Sequence, residues 1–554
     1  MTSETSRTPS SIDALAEEWL DTMLELEPEL HVALGRPGRE SDYADRSPDG
    51  AAATAVACRD MLARVRKAEP VDAIDTVTQL ELIRTLELDV EQHEAGFWQR
   101  DLNVIASAGQ DLRDIFDLMP TETEGDWSHV AKRLHNLPDA MNGYTESLRA
   151  GIKADNVPAI RQIREVILQA EKLVADTGFF FQLATDAGDT VSDTLQSELV
   201  SGALESSKAY ADLIAFLTND LAPNAPEMDA VGREHYALAS RYFVGAEIDL
   251  DETYEWGLEE LARMVAEQEA IAHEIKPGAT VVEAIEHLDR DMSRKLHGTD
   301  ALQRWMQETS DRALDDLGRT HFDIPEPMHR LECRIAPTQE GGIYYTPPSD
   351  DFARAGRMWW SVPEGITEFD TWRELTTVYH EGVPGHHLQC GLAIYNSAEL
   401  NGWRRMNWNS GHGEGWALYS ERLMADLGYL DDPADRLGML DGQRMRAARV
   451  VVDIGVHLGK PKPDGSGNWT GDDAFAFLSQ HVNMNESFIR FEANRYLGWP
   501  GQAPSYKVGQ RIWEQIRDDC ERRDGADFDI KEFHRKALSV GSVGLDTLRT
   551  ALLS

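Results

Sequence analysis

The chain has 554 residues, 42% of them hydrophobic, and its 97 acidic against 54 basic side chains give a formal charge of −43. Such a charge repels phosphate backbones and anionic lipid, which argues against nucleic-acid and membrane-surface binding. Met1 to Ser11 lacks the layout of a secretory leader, no apolar run is long enough to span a bilayer, and Cys58, Cys333, Cys390 and Cys520 form no C-x-x-C pair. A cytoplasmic protein with reduced cysteines is expected.

The predicted organisation is a polar tail over 1–11, a helical lobe over 12–325 and a metal-binding catalytic lobe over 326–554, the two lobes forming one continuous unit. Ser11-Ile12-Asp13 offers cap chemistry, and Leu15, Trp19, Met23 and Leu26 then recur at helical spacing. Similar patterns predict helices over Ala52–Lys67, Thr78–Glu91, Val157–Ala175, Ala230–Tyr242, Asp251–Glu274 and Ala301–Leu317. The period changes after His321. Leu331, Cys333 and Ile335 alternate with Glu332 and Arg334, Gly341-Gly342 turns the chain into Ile343-Tyr344-Tyr345, and a third strand is predicted at Met358–Val362. The fold class is therefore mainly α with a small β-sheet, placed directly before the most distinctive helix of the chain.

That helix is predicted to start at the cap pair Asp370-Thr371 and to carry His380-Glu381-Gly382-Val383-Pro384-Gly385-His386-His387-Leu388-Gln389. Histidine followed by glutamate is half of the H-E-x-x-H zinc-peptidase pattern, in which two histidines one turn apart hold the metal and the glutamate is general base. Here the fourth position is Pro384, which cannot bind a metal, and the next histidines lie six and seven positions on. A straight helix turns about 100° and rises about 1.5 Å per residue, so it points His386 away from His380 and carries His387 too far along the axis. Pro384 and Gly385 permit a bulge that returns one of them. Looping out two residues suits His386, the preferred ligand, and looping out three suits His387.

A third ligand is expected from the following helix, where Gly411–Glu421 holds Glu414 twenty-eight residues past His386. Glycines beside it allow close helix approach, and Glu421, two turns on, shares its face and would support a ligand. The alternative is that Glu414 caps a helix N-terminus. The metal set is thus His380, His386 and Glu414, with zinc preferred and manganese or iron compatible with two histidines and a carboxylate.

Tyr379–Gln389 together with Glu414-Gly415-Trp416-Ala417-Leu418-Tyr419 resembles a bacterial family, domain-of-unknown-function family 885, whose hallmark is H-E-x-x-P-G-H-H-x-Q. Further matches are Glu18-Trp19-Leu20, Glu27-Pro28-Glu29, Tyr344-Tyr345, Arg354-Ala355-Gly356, Arg446–His457 and Trp499–Lys507. The resemblance implies a two-lobed helical zincin-like architecture, akin to thimet-oligopeptidase and carboxypeptidase-Taq enzymes, with a deep channel and a short sheet flanking the metal.

These readings give a zinc-dependent hydrolase, a metallopeptidase acting on a peptide or amide substrate, with Glu381 as general base. Tyr506, next to Lys507, and His457, one turn after Asp453, are the candidate donors to an oxyanion. His387, Glu421, Asp453, Tyr345 and Lys507 are expected behind the ligands or against the substrate, and the Ile343–Tyr345 strand can pair with an extended peptide. Two other classes fit the same residues: a two-histidine, one-carboxylate metal oxygenase, and a non-catalytic helical scaffold that binds metal.

Overall fold

The hydroxyl of Ser10 accepts the N–H groups of Ile12 and Asp13, both at 3.0 Å, and the Asp13 carboxylate accepts the Ser10 N–H at 2.9 Å. This reciprocal cap starts the first helix, Ser11–Leu26, one residue earlier than the sequence suggests. Arg7 ties the preceding segment down through Asp13, Asp72 and Asp75. The computed structural model describes residues 7–337 and 342–554.

The predicted helices correspond to Pro48–Val65, Ala73–Glu94, Ile160–Leu173, Arg233–Val244, Leu250–Ile275 and Thr299–Thr320. Two long helices fall outside the predicted windows, Glu124–Ala154 and Asp193–Phe216. The first carries Pro138 in mid-run, which reads as a breaker. Trp127, Val130, Leu134, Leu137, Met141, Tyr144 and Leu148 nevertheless form one continuous buried stripe, and that burial outweighs the hydrogen bond lost to proline.

Three hydrophobic cores organise these helices. One gathers residues between Leu102 and Leu221, a small one joins Ala16–Leu86 to Trp403, and the largest runs from Tyr236 to Leu548. The core therefore changes near residue 230 rather than at 325. Helix Leu250–Ile275 belongs with the later part of the chain, where Gly257 admits the side chain of Val450 against its backbone. The chain also returns to its start, with the Asn401 amide on Asp13 at 3.1 Å and Arg404 on Thr78 at 3.0 Å.

The three-stranded sheet comprises β1 (Leu331–Ile335), β2 (Ile343–Thr346) and β3 (Gly356–Trp360) in the order β1–β3–β2. β1 is parallel and β2 antiparallel to β3, so the strands on either side of the Gly341-Gly342 turn are not neighbours. Gly341 itself lies outside the described residues. The third strand begins two residues before its predicted position. A separate ribbon, unmarked by any alternation in the sequence, pairs Lys295–His297 with Glu368–Asp370. It feeds the first of the five site helices: α1 (Thr371–Glu381), α2 (His386–Tyr395), α3 (Ser410–Asp426), α4 (Pro433–Leu458) and α5 (Ser505–Asp524). Asp370 occupies the cap position, but its carboxylate pairs with Lys295 at 2.8 Å instead of capping.

α3 and α5 cross at glycine. A Cβ on Gly415 would lie 2.5 Å from the Gly509 carbonyl carbon, and one on Gly509 would lie 2.2 Å from the Gly411 oxygen. The close approach that glycine allows beside Glu414 is thus real. No helix among the described residues is long and apolar enough to cross a membrane. Gly415→Ala should force the two backbones apart and lower stability by about 1–3 kcal/mol, read from the denaturant midpoint at unchanged slope.

Candidate metal centre

α1 ends at Glu381 and α2 begins at His386, so the expected bulge within one helix is a full break of four residues. Proline explains the stop: Pro384 has no N–H, and in a continuous helix its ring would meet the carbonyl of His380. The break folds back on the last turn of α1, with the Gly385 N–H on the Tyr379 carbonyl at 3.0 Å and the His387 N–H on the Gly382 carbonyl at 3.1 Å. A Cβ at Gly385 would sit 1.8 Å from the His380 carbonyl oxygen, so only glycine fits there. The Trp416 indole N–H, on α3, donates to the Pro384 carbonyl at 2.9 Å and holds the break against the next helix.

This geometry brings His386 back to His380, the rings 5.1 Å apart and nearly perpendicular. His380 Nε2 lies 3.4 Å and His386 Nε2 3.9 Å from the same Glu414 oxygen, and the donor atoms of all three lie within 4.8 Å of one another. Four donors arranged tetrahedrally at about 2.1 Å from one ion stand about 3.4 Å apart, so the set fits zinc. Among the described residues no other group of three such donors converges. Glu414 is one turn inside α3, whose cap is Asn409, so it is free to be a ligand.

Both histidines are oriented from behind. His380 Nδ1 donates to Glu421 at 2.8 Å, and the other Glu421 oxygen accepts the Gln443 amide at 3.2 Å. His386 Nδ1 faces the Gln389 oxygen at 3.3 Å, and the Gln389 amide reaches His412 Nδ1 at 2.8 Å. In each case Nε2 is left for a cation. Burial works against charge on His380, but Glu414 and Glu421 outweigh it and hold the group up to about 10. Burial pushes His386 down to about 4 and Glu381 up to about 8. Burial also opposes ionisation of Glu414, yet His380, His386 and Arg446 bring it down to about 2. Glu381 sits 4.0 Å from His380 Nε2.

His387 is turned elsewhere. Its Nε2 donates to the Met328 carbonyl at 2.8 Å and its Nδ1 accepts the Tyr345 hydroxyl at 2.9 Å, so neither nitrogen is left for a metal. Tyr506 is buried: burial pushes its phenol up to about 12, the Glu414 carboxylate adds to that rise, and the Arg449 guanidinium lies over its ring, 5.0 Å from the centroid. Lys507 is buried on Gln443, Gln510 and Glu260 and points away from the ligands. His457 and Asp453 are not part of the site. α4 meets the cluster near its middle, at Gln443 and Arg446, and His457 lies eleven residues, about 16 Å, beyond Arg446. There His457 donates to the Tyr496 carbonyl at 3.0 Å, while Asp453 accepts the Tyr236 hydroxyl at 2.6 Å and the Gly501 N–H at 2.9 Å. Their nitrogen and oxygen are 3.9 Å apart, too far for a hydrogen bond.

Two residues of α4 were not among the expected site residues, although Arg446 opens one of the matched stretches. Gln443 touches Glu421, and Arg446 lies 3.9 Å from it and acts on Glu381 and Glu414. Their signal is polar character at three-residue spacing on a helix face otherwise built from Leu437, Leu440 and Ala447. A cavity of about 760 Å³ opens at Glu414 and runs between the first helices, walled by Trp19, Tyr242, Phe243, Trp403 and Trp408 with Asp89 among them. Trp408 also stands against His386, ring centroids 5.9 Å apart.

His386→Ala should abolish stoichiometric zinc, whereas His387→Ala should retain it, as measured by metal analysis after gel filtration. Since His380 carries a proton at neutral pH and a metal must displace it, zinc uptake should release a proton and affinity should rise with pH. Calorimetry in buffers of different ionisation enthalpy reads that proton directly.

The family model described as "Bacterial protein of unknown function (DUF885)" matches residues 28–552. The fold is shared with a protein of Colwellia psychrerythraea described as a "putative lipoprotein", at a TM-score of 0.84 and 22% identity over 98% of each chain. A Shewanella oneidensis protein, described as a "putative lipoprotein of unknown function", superposes at 0.78 and 17% identity over 99% of this chain and 100% of that one. A Pyrococcus furiosus carboxypeptidase reaches only 0.42 at 10% identity, over 99% and 97%, a score on which no argument rests. No curated protein matches the sequence. With a match that runs from the first turns of the chain to its last helix, the protein belongs to the DUF885 family.

Proposed function

We propose that the protein is a zinc-dependent hydrolase of the metallopeptidase type, cleaving peptide or amide bonds, with a zincin-like arrangement of helices and sheet around the ion. The observation that carries this reading is the convergence of His380 Nε2, His386 Nε2 and one Glu414 oxygen, with a further carboxyl, Glu381, beside them. A bound zinc supplies a Lewis acid and a water acidic enough to ionise near neutral pH.

Everything else is the work of the chain. Glu381 accepts the proton of the attacking water and returns it to the leaving nitrogen; burial raises its affinity for that proton, and a cation held by its neighbours would favour the carboxylate that accepts it. Tyr506 and Arg446, whose groups interact electrostatically with Glu414, are the candidate donors to the negative charge that would develop on the scissile carbonyl. The cavity at Glu414 has the volume of a short-peptide site. Among the described residues β2 is bonded on one side only, to β3, and its other edge could pair with an extended chain. The four cysteines are free thiols, three of them buried, which supports a reducing compartment such as the cytoplasm.

Glu381→Gln separates hydrolysis from the other readings. The variant should keep one zinc per chain and lose peptide-library cleavage by at least about a hundredfold. Retained cleavage would remove Glu381 as base. Oxygen consumption by an iron-loaded wild type that cleaves nothing would favour the oxygenase.

A further inference from the structure

His380 can offer Nε2 to a cation only while Nδ1 keeps its proton and the ring keeps its angle. Glu421 enforces both, accepting Nδ1–H at 2.8 Å from a position 1% exposed. A lone buried carboxylate would itself rotate or take up a proton. Glu421 is held in turn by the Gln443 amide at 3.2 Å, and the Gln443 oxygen accepts the Lys507 ammonium at 2.7 Å.

The ammonium decides which way that carboxamide faces. Lys507 has three donors and no acceptor, so the oxygen of Gln443 must point to it and the N–H2 must point to Glu421. The remaining donors of Lys507 go to Gln510 at 2.9 Å and Glu260 at 2.9 Å, and Glu260 is clamped by both arms of Arg263, at 2.8 and 2.7 Å. Gln443 and Lys507 are 0% and 2% exposed. The chain of bonds thus passes from α1 through α3, α4 and α5 to helix Leu250–Ile275, with no water-facing member between His380 and Lys507. Burying an ammonium is costly and packing alone does not call for it, since a methionine fills the same volume.

We propose that Gln443 and Lys507 are positioning residues of the metal site: Lys507 fixes the Gln443 amide so that it donates to Glu421, and Glu421 thereby holds His380 with Nε2 free for the ion. The inference rests on the metal-centre reading above. It assigns Lys507 a place behind the ligands, away from the substrate.

The test is zinc affinity, measured by competition with a chromophoric chelator, for wild type, Gln443→Glu and Lys507→Met. Gln443→Glu is isosteric and still accepts from Lys507, but it turns an oxygen towards Glu421. Lys507→Met keeps the volume and frees the amide to flip. Each should weaken zinc binding by about 10- to 100-fold and shift the visible bands of the cobalt-substituted protein, while the metal-free protein stays folded. The variants alter different helices, so misfolding of one leaves the other decisive. Wild-type affinity with an unchanged cobalt spectrum in a folded variant overturns the proposal alone. No zinc on the wild type overturns the metal centre along with it.

Discussion

The backbone of Gly385 lies on the carbonyl oxygen of His380, and the site depends on that contact. An uninterrupted helix would send His386 to the far side of α1, and any side chain at 385 would collide with the last turn. With the chain folded back, His386 becomes the first residue of a new helix and its ring meets His380 edge to face. The Trp416 indole then bonds the Pro384 carbonyl, and Trp416 stands two residues from Glu414 on α3. One break therefore sets the distance between two ligands and locks the helix that brings the third. The glycines where α3 meets α5 serve the same end, since they bring the next helix, with Tyr506 and Lys507, within reach.

Concentrating Glu381, Glu414 and Glu421 in one buried place opposes folding, because each carboxylate leaves water. The opposition is met by His380, His386 and Arg446. Around them stand wholly buried Trp372, Trp416 and Trp513, large apolar side chains whose burial supplies stability that polar residues do not. On the proposed reading, such an assembly would serve to attract a cation rather than to maximise stability.

The candidate cluster was legible because it resides in residue types at short spacing: His380-Glu381 on a helix, a proline that excludes the fourth position, and Glu414 among glycines. The strands were legible where alternation reached burial, as in Leu331, Cys333 and Ile335. What spacing could not give was tertiary direction. Asp453 and His457 stand one turn apart, as a supporting pair would, yet α4 is long enough to leave the site before reaching them. Gln443 and Arg446, near the middle of that helix, look no different in sequence from any polar residue on a long helix. The boundary near 325 followed a change of local period, whereas cores are set by contacts between distant segments, and these place Leu250–Ile275 against α4. Choosing between His386 and His387 likewise needed the partners of each ring, and Met328 and Tyr345 use up both nitrogens of His387.

The two histidine ligands are supported by different chemistry, and the difference has a consequence. His380 leans on a carboxylate, which raises its basicity and strengthens it as a ligand. His386 leans on the neutral amide of Gln389, itself ended by His412, so nothing behind it favours charge. His386 is therefore ready as a neutral donor across the physiological range, while His380 must first surrender a proton. The same proton neutralises part of the acidic cluster when no cation is present, because His380 pairs with Glu414 through Nε2 and with Glu421 through Nδ1. On the proposed reading His380 would have two states, an imidazolium that holds the carboxylates together and a neutral ligand that shares Glu414 with an ion. Glu421 is indispensable to both, which is why the residues that fix Glu421 reach so far back into the core.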